Sequence, residues 1–222
     1  GEYHGVRIGI TTSNMSNYQG NKISNLNINR ASTPVVWMTA AESFFLRAEG
    51  ALRGWAMGGD AKSLYEEAIA LSFEQYGLPA TDALSYAANA SNTPQAYTDP
   101  VDGTYSAGAV SNLTVAWQEG DEYAEKNLER IITQKWIAST RCQAWDAWFD
   151  INRTGIPEVS EYTTDGDPDD YVLGTLAYNP NSSLAKGQFA HRFIYSKESL
   201  DYNTNAPTKV PAITEPLWWH KK

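Results

Sequence analysis

Carboxylates in pairs and an excess of aromatic rings are the residues of this chain that could do chemistry. Glu42 and Glu49 stand two helical turns apart within AESFFLRAEG. Paired carboxylates serve general acid–base catalysis when a cleft holds them roughly 5–10 Å apart. Nothing in the spacing fixes such a separation, so the pair reads as a solvated or salt-bridged helix face. The run Asp165-Gly166-Asp167-Pro168-Asp169-Asp170 begins like a calcium loop. It departs from the EF-hand pattern, with Asp170 where glycine is needed and Leu176 where the bidentate glutamate belongs. It reads as a solvated acidic loop, with calcium as the one cofactor its oxygen-rich composition leaves open. Cys142 is the single cysteine, so no internal disulfide can form. The three histidines, His4, His191 and His220, are all remote from it in sequence, and a structural thiol is the expectation. Zinc-protease, nucleophile-elbow and phosphate-loop patterns do not occur.

The aromatic residues are more informative. Eight Trp and thirteen Tyr exceed what a helical core of this size needs. Such rings offer flat apolar faces with a polar edge, suited to stacking on sugars or to filling an interface. The charge excludes other partners. A formal −9 repels phosphate backbones and anionic lipid headgroups, so nucleic acid is not expected. No apolar run approaches the ~20 residues that span a bilayer. With 42% hydrophobic and 19% charged residues, the chain reads as ordered and globular.

Helices must position these groups. Trp37, Ala41, Phe44, Phe45, Ala48, Leu52 and Trp55 fall on one helical stripe. Thr33 is the expected cap, Pro34 the first helical residue, and Gly58 and Gly59 the exit. Asp60 then caps a second helix with Leu64, Tyr65, Ala68, Ile69 and Phe73 inward. Small residues at Ala48, Ala51, Ala61 and Ala68 permit close approach, as in tetratricopeptide-type pairs. The expected fold is all-α with long irregular loops, built on tetratricopeptide-like helical hairpins. Its segments are an irregular lead-in over 1–32, with a short strand at 6–10, a hairpin over 33–77 and a loop excursion over 78–119. A helix pair over 120–157 and an irregular C-terminal region over 158–222, with one helical turn in it, complete the chain. In the helix pair, Leu128, Ile131, Ile132 and Trp136 form one buried stripe, with Lys126, Glu129, Arg130 and Lys135 covering the rest. The following helix, over 141–151, carries Ala144, Trp145, Trp148 and Phe149, read as core against the Trp136 face. The Arg153-Thr154-Gly155 step ends it, the arginine bonding carbonyls or a carboxylate.

Several blocks carry a family resemblance: PVVWMTAAESFFLRAEGALRGW, LERIITQKWI, QAWDAWFDINRTGIP and RFIYSKESLDYN, in that order. The chain resembles the C-terminal portion of SusD/RagB-type outer-membrane lipoproteins of Bacteroidetes. Two features depart from the family's usual form. Its members run to about twice this length, with a signal peptide and lipid-bearing cysteine in an N-terminal half outside this sequence. Asn152 also replaces the first of two arginines before Thr-Gly. The resemblance implies a non-catalytic, cell-surface protein that captures a glycan or other nutrient. It would deliver that nutrient to a SusC-like TonB-dependent transporter, meeting the membrane only through the lipid anchor. It also implies that loops leaving the scaffold carry the aromatic platform, which points to Tyr97, Tyr105 and Trp117 as ligand-binding residues. No catalytic or metal-ligating residue is assigned. The competing expectation is an interaction subunit that docks on the transporter or another protein, with no small-ligand site in this half.

Overall fold

The structure, a computed structural model, describes residues 4–5, 16–24, 35–140, 142–158, 161–163, 171–173, 190–208 and 211–220. It is all-α in character, with tetratricopeptide-like hairpins and long irregular loops. Two compact units emerge. One comprises Leu26–Gln95 and Ala109–Glu158; the other comprises Gly1–Asn25, Ala96–Gly108 and Val159–Lys222.

The first unit is helical, with α1 (Ala40–Leu52), α2 (Ala61–Gln75), α3 (Ala80–Ala87), α4 (Ala124–Ala138) and α5 (Ala144–Thr154). Helix α1 begins later than the sequence signals predict. Thr39 caps it, its hydroxyl accepting from the Glu42 N–H at 3.0 Å, and residues 35–39 precede it without helical form. The expected Thr33 cap and Pro34 start lie outside the described residues. Trp37 therefore stands off the helix, 89% exposed, and Trp55 follows its end at 62%. The exit glycine is Gly54, at φ +82°, with Trp55 N–H returning to the Gly50 carbonyl at 2.9 Å. Gly58, also left-handed, shapes the link that follows.

Asp60 caps α2 through the Ser63 N–H at 2.9 Å. Ala41, Phe45 and Ala48 of α1 meet Leu64, Tyr65, Ala68 and Ile69 of α2 in one buried cluster. Ala87 of α3 and Ile131 and Ala138 of α4 close it. Ala48 and Ala68 are completely buried, so the hairpin packs backbone close to backbone at these positions.

Helices α4 and α5 differ from expectation in which face they bury. Ile131 and Ile132 are buried as expected, but Arg130 and Lys135 are buried too, at 3% and 4% exposure. On α5 the inward residues are Ala147, Asp150 and Asn152, while Trp145 is 61% exposed and Phe149 39%. Trp136 is also exposed, so the aromatic edge of this pair is not the core. The reason is electrostatic: Asp150 turns inward to meet Lys135, which carries the rings outward.

In the second unit, described elements are an antiparallel ribbon of β1 (Glu161–Thr163) and β2 (Tyr171–Leu173), and α6 (Lys197–Tyr202). Tyr162 pairs with Val172 at the centre of that ribbon, within a segment expected to be wholly irregular. Ser196 caps α6 through the Ser199 N–H, giving the helical turn expected in the tail. The expected strand at 6–10 and the acidic run at 165–170 lie outside the described residues. Among the described residues no helix is long and apolar enough to cross a membrane.

Ala68→Leu should force a larger side chain into the α1–α2 seam and destabilise the protein by about 1–3 kcal/mol. Urea unfolding would show a lower midpoint at an unchanged slope.

Candidate functional site

The carboxylates singled out by spacing are structural. Glu42 and Glu49 are buried, at 8% and 7% exposure, rather than on a solvated face. Lys135 Nζ pairs with Asp150 Oδ2 at 2.6 Å and lies 3.7 Å from Glu42 Oε1. Gln143 Nε2 donates to Glu42 Oε2, and Thr39 Oγ1 lies 3.4 Å from Gln143 Oε1. Arg153 forks onto Glu49, at 2.5 and 2.9 Å, and reaches Asp150 Oδ1 at 2.9 Å. Arg53 completes the set with bonds of 3.1 and 2.8 Å to Glu49 Oε1. The ladder ties α1 to α4 and α5 across a hundred residues of sequence.

Burial pushes the Glu49 carboxyl up, but charge-assisted bonds from Arg153 and Arg53 outweigh it and hold it below its ordinary value. Burial disfavours the Arg153 cation as well, and the bonds to Glu49 and Asp150 more than offset this, raising its pKa. The rest of the Arg-Thr-Gly step is local geometry. Thr154 Oγ1 donates to the Asp150 carbonyl at 2.7 Å and accepts from the Ile156 N–H at 3.1 Å. Gly155 takes the left-handed φ of +72° that ends α5, its N–H on the Ile151 carbonyl. Cys142 sits in the turn before α5 rather than in a helix, without a disulfide.

The three predicted ligand residues divide between the units. Trp117 belongs to the helical unit, where its ring tilts against Tyr65 with centroids 5.6 Å apart. It is partly buried on the core cluster, in a segment strapped to the helices. Tyr65 donates to the Val115 carbonyl at 2.8 Å, and Arg130 bonds the Thr114 carbonyl, Asn127 and Gln118. Asn127 also exchanges bonds with the Gln118 backbone. Burial lowers the Arg130 pKa, and its neutral acceptors explain why it needs no direct carboxylate. Burial likewise raises the Tyr65 phenol, keeping it a neutral donor.

Tyr97 and Tyr105 belong to the other unit, on one loop. Tyr97 pairs with Ala107 in an antiparallel bridge, with bonds of 2.8 and 2.9 Å. Inside that bridge the buried Asp99 accepts from the N–H groups of Val101 and Asp102, each at 2.9 Å. It also accepts from Tyr18, at 2.8 and 2.9 Å, and from Tyr97 at 3.2 Å. Burial raises the Asp99 pKa, and these donors outweigh it to leave the carboxyl lowered. Asp102 then caps the turn Gly103–Tyr105 through the Thr104 N–H. Two half-exposed tyrosines are thus held on a braced loop. Asp99 was not singled out from sequence, although Asp-Pro followed by Asp-Gly is a turn signature.

A cavity of about 720 Å³ also lies in the helical unit, lined by residues from 93–94, 109–112, the start of α4 and 155–158. Of its charged lining, Glu125, Lys126 and Glu129 come from the start of α4 and Glu158 from the segment after α5. Among the described residues no group of three or more His, Cys, Asp or Glu could hold a metal ion.

The family description "Susd and RagB outer membrane lipoprotein", SusD-like, matches residues 1–213. The chain belongs to the SusD/RagB family. Its members are binding proteins rather than enzymes, described as outer-membrane lipoproteins. A SusD homologue from Bacteroides thetaiotaomicron VPI-5482 is 35% identical with a TM-score of 0.75, over 99% of this chain and 45% of its own. One from Bacteroides uniformis ATCC 8492 is 34% identical, TM-score 0.74, over 99% of this chain and 43% of its own. A chitin-binding SusD homologue from Flavobacterium johnsoniae is 33% identical, TM-score 0.63, over 83% and 36% respectively. The chain therefore spans less than half the length of these SusD homologues. No curated protein matches it.

The ladder sets a pH expectation. Glu49 lies below its ordinary 4.5 in the folded state, so its contribution is present above pH 4.5 and is lost as pH falls through the folded value. Glu49→Gln should cost on the order of 2 kcal/mol at neutral pH. Thermal unfolding from pH 7 down to about 3 should show the gap between variant and wild type narrowing below pH 4.5.

Proposed function

We propose that the protein captures a glycan at the cell surface and passes it, unmodified, to a SusC-like TonB-dependent transporter. The observation that carries this reading is membership of a nutrient-binding family that includes a chitin-binding homologue 33% identical to this chain. The geometry supports it in two ways. The charged groups that might have suggested acid–base chemistry are engaged in the ladder between α1, α4 and α5. The Asp99 clamp holds Tyr97 and Tyr105 on a loop of fixed shape, which lowers the ordering cost of presenting rings to a ligand. In this reading Tyr97, Tyr105 and Trp117 supply ring faces and polar edges to the sugar, and no bound metal is required. The whole protein would be held at the outer membrane by a lipid anchor, with its −9 charge discouraging contact with anionic lipid.

A second reading has its own observation. Trp136, Trp145 and Phe149 are 41, 61 and 39% exposed on α4 and α5, a surface suited to another protein. Under it the chain is an interaction subunit without a small-ligand site, and its interface would exceed roughly 1,000 Å².

Glycan-array binding by the intact protein, followed by calorimetry of the best ligand, separates the two. Glycan capture predicts weak affinity, little salt dependence and quenching of tryptophan or tyrosine fluorescence. Tyr105→Ala should weaken binding about tenfold, the equivalent of 1.4 kcal/mol, while leaving thermal stability near wild type. Trp117→Ala is a poorer probe, because it also removes packing from Tyr65. Silence across the array, with tight capture of the transporter, would favour the second reading.

A further inference from the structure

The cavity of about 720 Å³ has the size of a small-ligand pocket, which commonly spans about 300–1,000 Å³. One of its walls is built rather than incidental. Ser111 Oγ donates to Glu129 Oε1 at 2.9 Å and accepts from the Leu113 N–H at 3.1 Å, pinning that wall to α4. Lys126 Nζ pairs with the other Glu129 oxygen at 2.8 Å, so that cation and that carboxylate satisfy each other. Glu125 and Glu158 line the same cavity from different segments, both exposed to solvent, and neither carboxylate bonds or pairs with a described residue. Among the described lining residues, three carboxylates stand against one ammonium, an excess of negative charge. Pro94, Ala109, Val110 and Ile156 supply apolar surface, and no aromatic ring is among the described lining residues.

These features define the occupant. The described lining offers hydrogen bonding and charge rather than a stacking face. Among the described residues these carboxylates do not gather into a metal-binding group. A uronate or sulfated sugar would meet uncompensated carboxylates, a like-charge juxtaposition that opposes binding. A sugar-sized polyol carrying a protonated amine satisfies both the volume and the charge. We infer that this cavity is a subsite for an amine-bearing sugar unit, with Glu125 and Glu158 receiving the ammonium and Ser111 and Asn112 meeting hydroxyls. This rests on the glycan-capture reading and adds to it a selectivity for cationic over anionic glycans, at a place apart from the three aromatic residues.

The test is calorimetry on the intact protein with a β-linked glucosamine tetramer, its N-acetylated counterpart and an oligogalacturonate. Wild type should bind the free amine at least about fivefold more tightly than the N-acetylated tetramer at low salt. That preference should shrink at about 0.5 M salt, where charges are screened within a few ångströms. Oligogalacturonate should bind weakest. Glu125→Gln with Glu158→Gln should reduce binding of the amine tetramer about tenfold and leave the N-acetylated one within about twofold. Equal binding of the amine tetramer by variant and wild type would overturn the subsite, as would the absence of any preference for the amine. If the N-acetylated tetramer binds without such a preference, the glycan reading stands and only the subsite falls. If neither tetramer binds, the subsite falls, and the array result decides the glycan reading separately.

Discussion

Lys135 and Asp150 meet at 2.6 Å in a part of the helical unit where each is less than a tenth exposed. Much of the rest is constrained by that contact and its neighbours. A buried ammonium needs carboxylates around it, and α1 supplies Glu42 while α5 supplies Asp150. Glu49 then needs cations of its own, which Arg153 and Arg53 provide. Each charge is costly alone and tolerable only when its partners are in place. The ladder therefore sets the rotation of α4 and α5 about their axes. With Asp150 committed inward, Trp145 and Phe149 face out, and the Arg-Thr-Gly step falls where it can close α5.

This separates the parts of the fold that were legible in the sequence from those that were not. Helix periodicity is local, and it placed Ala41, Phe45 and Ala48 opposite Leu64, Tyr65, Ala68 and Ile69 correctly. The same reasoning failed for α5, because apolar spacing alone favours burying tryptophans. The competing term comes from Lys135 on the preceding helix and from Glu49 on α1, neither of which registers in the apolar spacing of α5. The α1 boundary was missed for a related reason. Thr33-Pro34 and Thr39 are both credible starts, and the contacts of Gln143 with Glu42 and Thr39 that accompany the second are long-range. Residue type together with the family resemblance made Tyr97, Tyr105 and Trp117 candidates. Their settings were not legible, since the Asp99 clamp depends on Tyr18 and the Trp117 seat depends on Tyr65.

Function follows the same division. Glu42, Glu49, Lys135 and Arg153 of the ladder all lie within the sequence blocks that resemble the family. Under the proposed glycan reading, ligand choice would fall to the segments that leave the scaffold: the braced loop of Tyr97 and Tyr105, and the residues around the charged cavity. Such segments can vary in sequence at little cost to a scaffold held by its own buried pairs.

The most direct test is a double-mutant cycle on Lys135 and Asp150, with Lys135→Met, Asp150→Leu and the double variant compared by urea unfolding. The account predicts that each single change costs on the order of 3 kcal/mol, by leaving buried charge unmatched. It also predicts that the double variant recovers at least about 1.5 kcal/mol of the summed loss. Near-neutral single variants with coupling below about 0.5 kcal/mol would contradict it, and would mean that apolar packing alone orients α4 and α5.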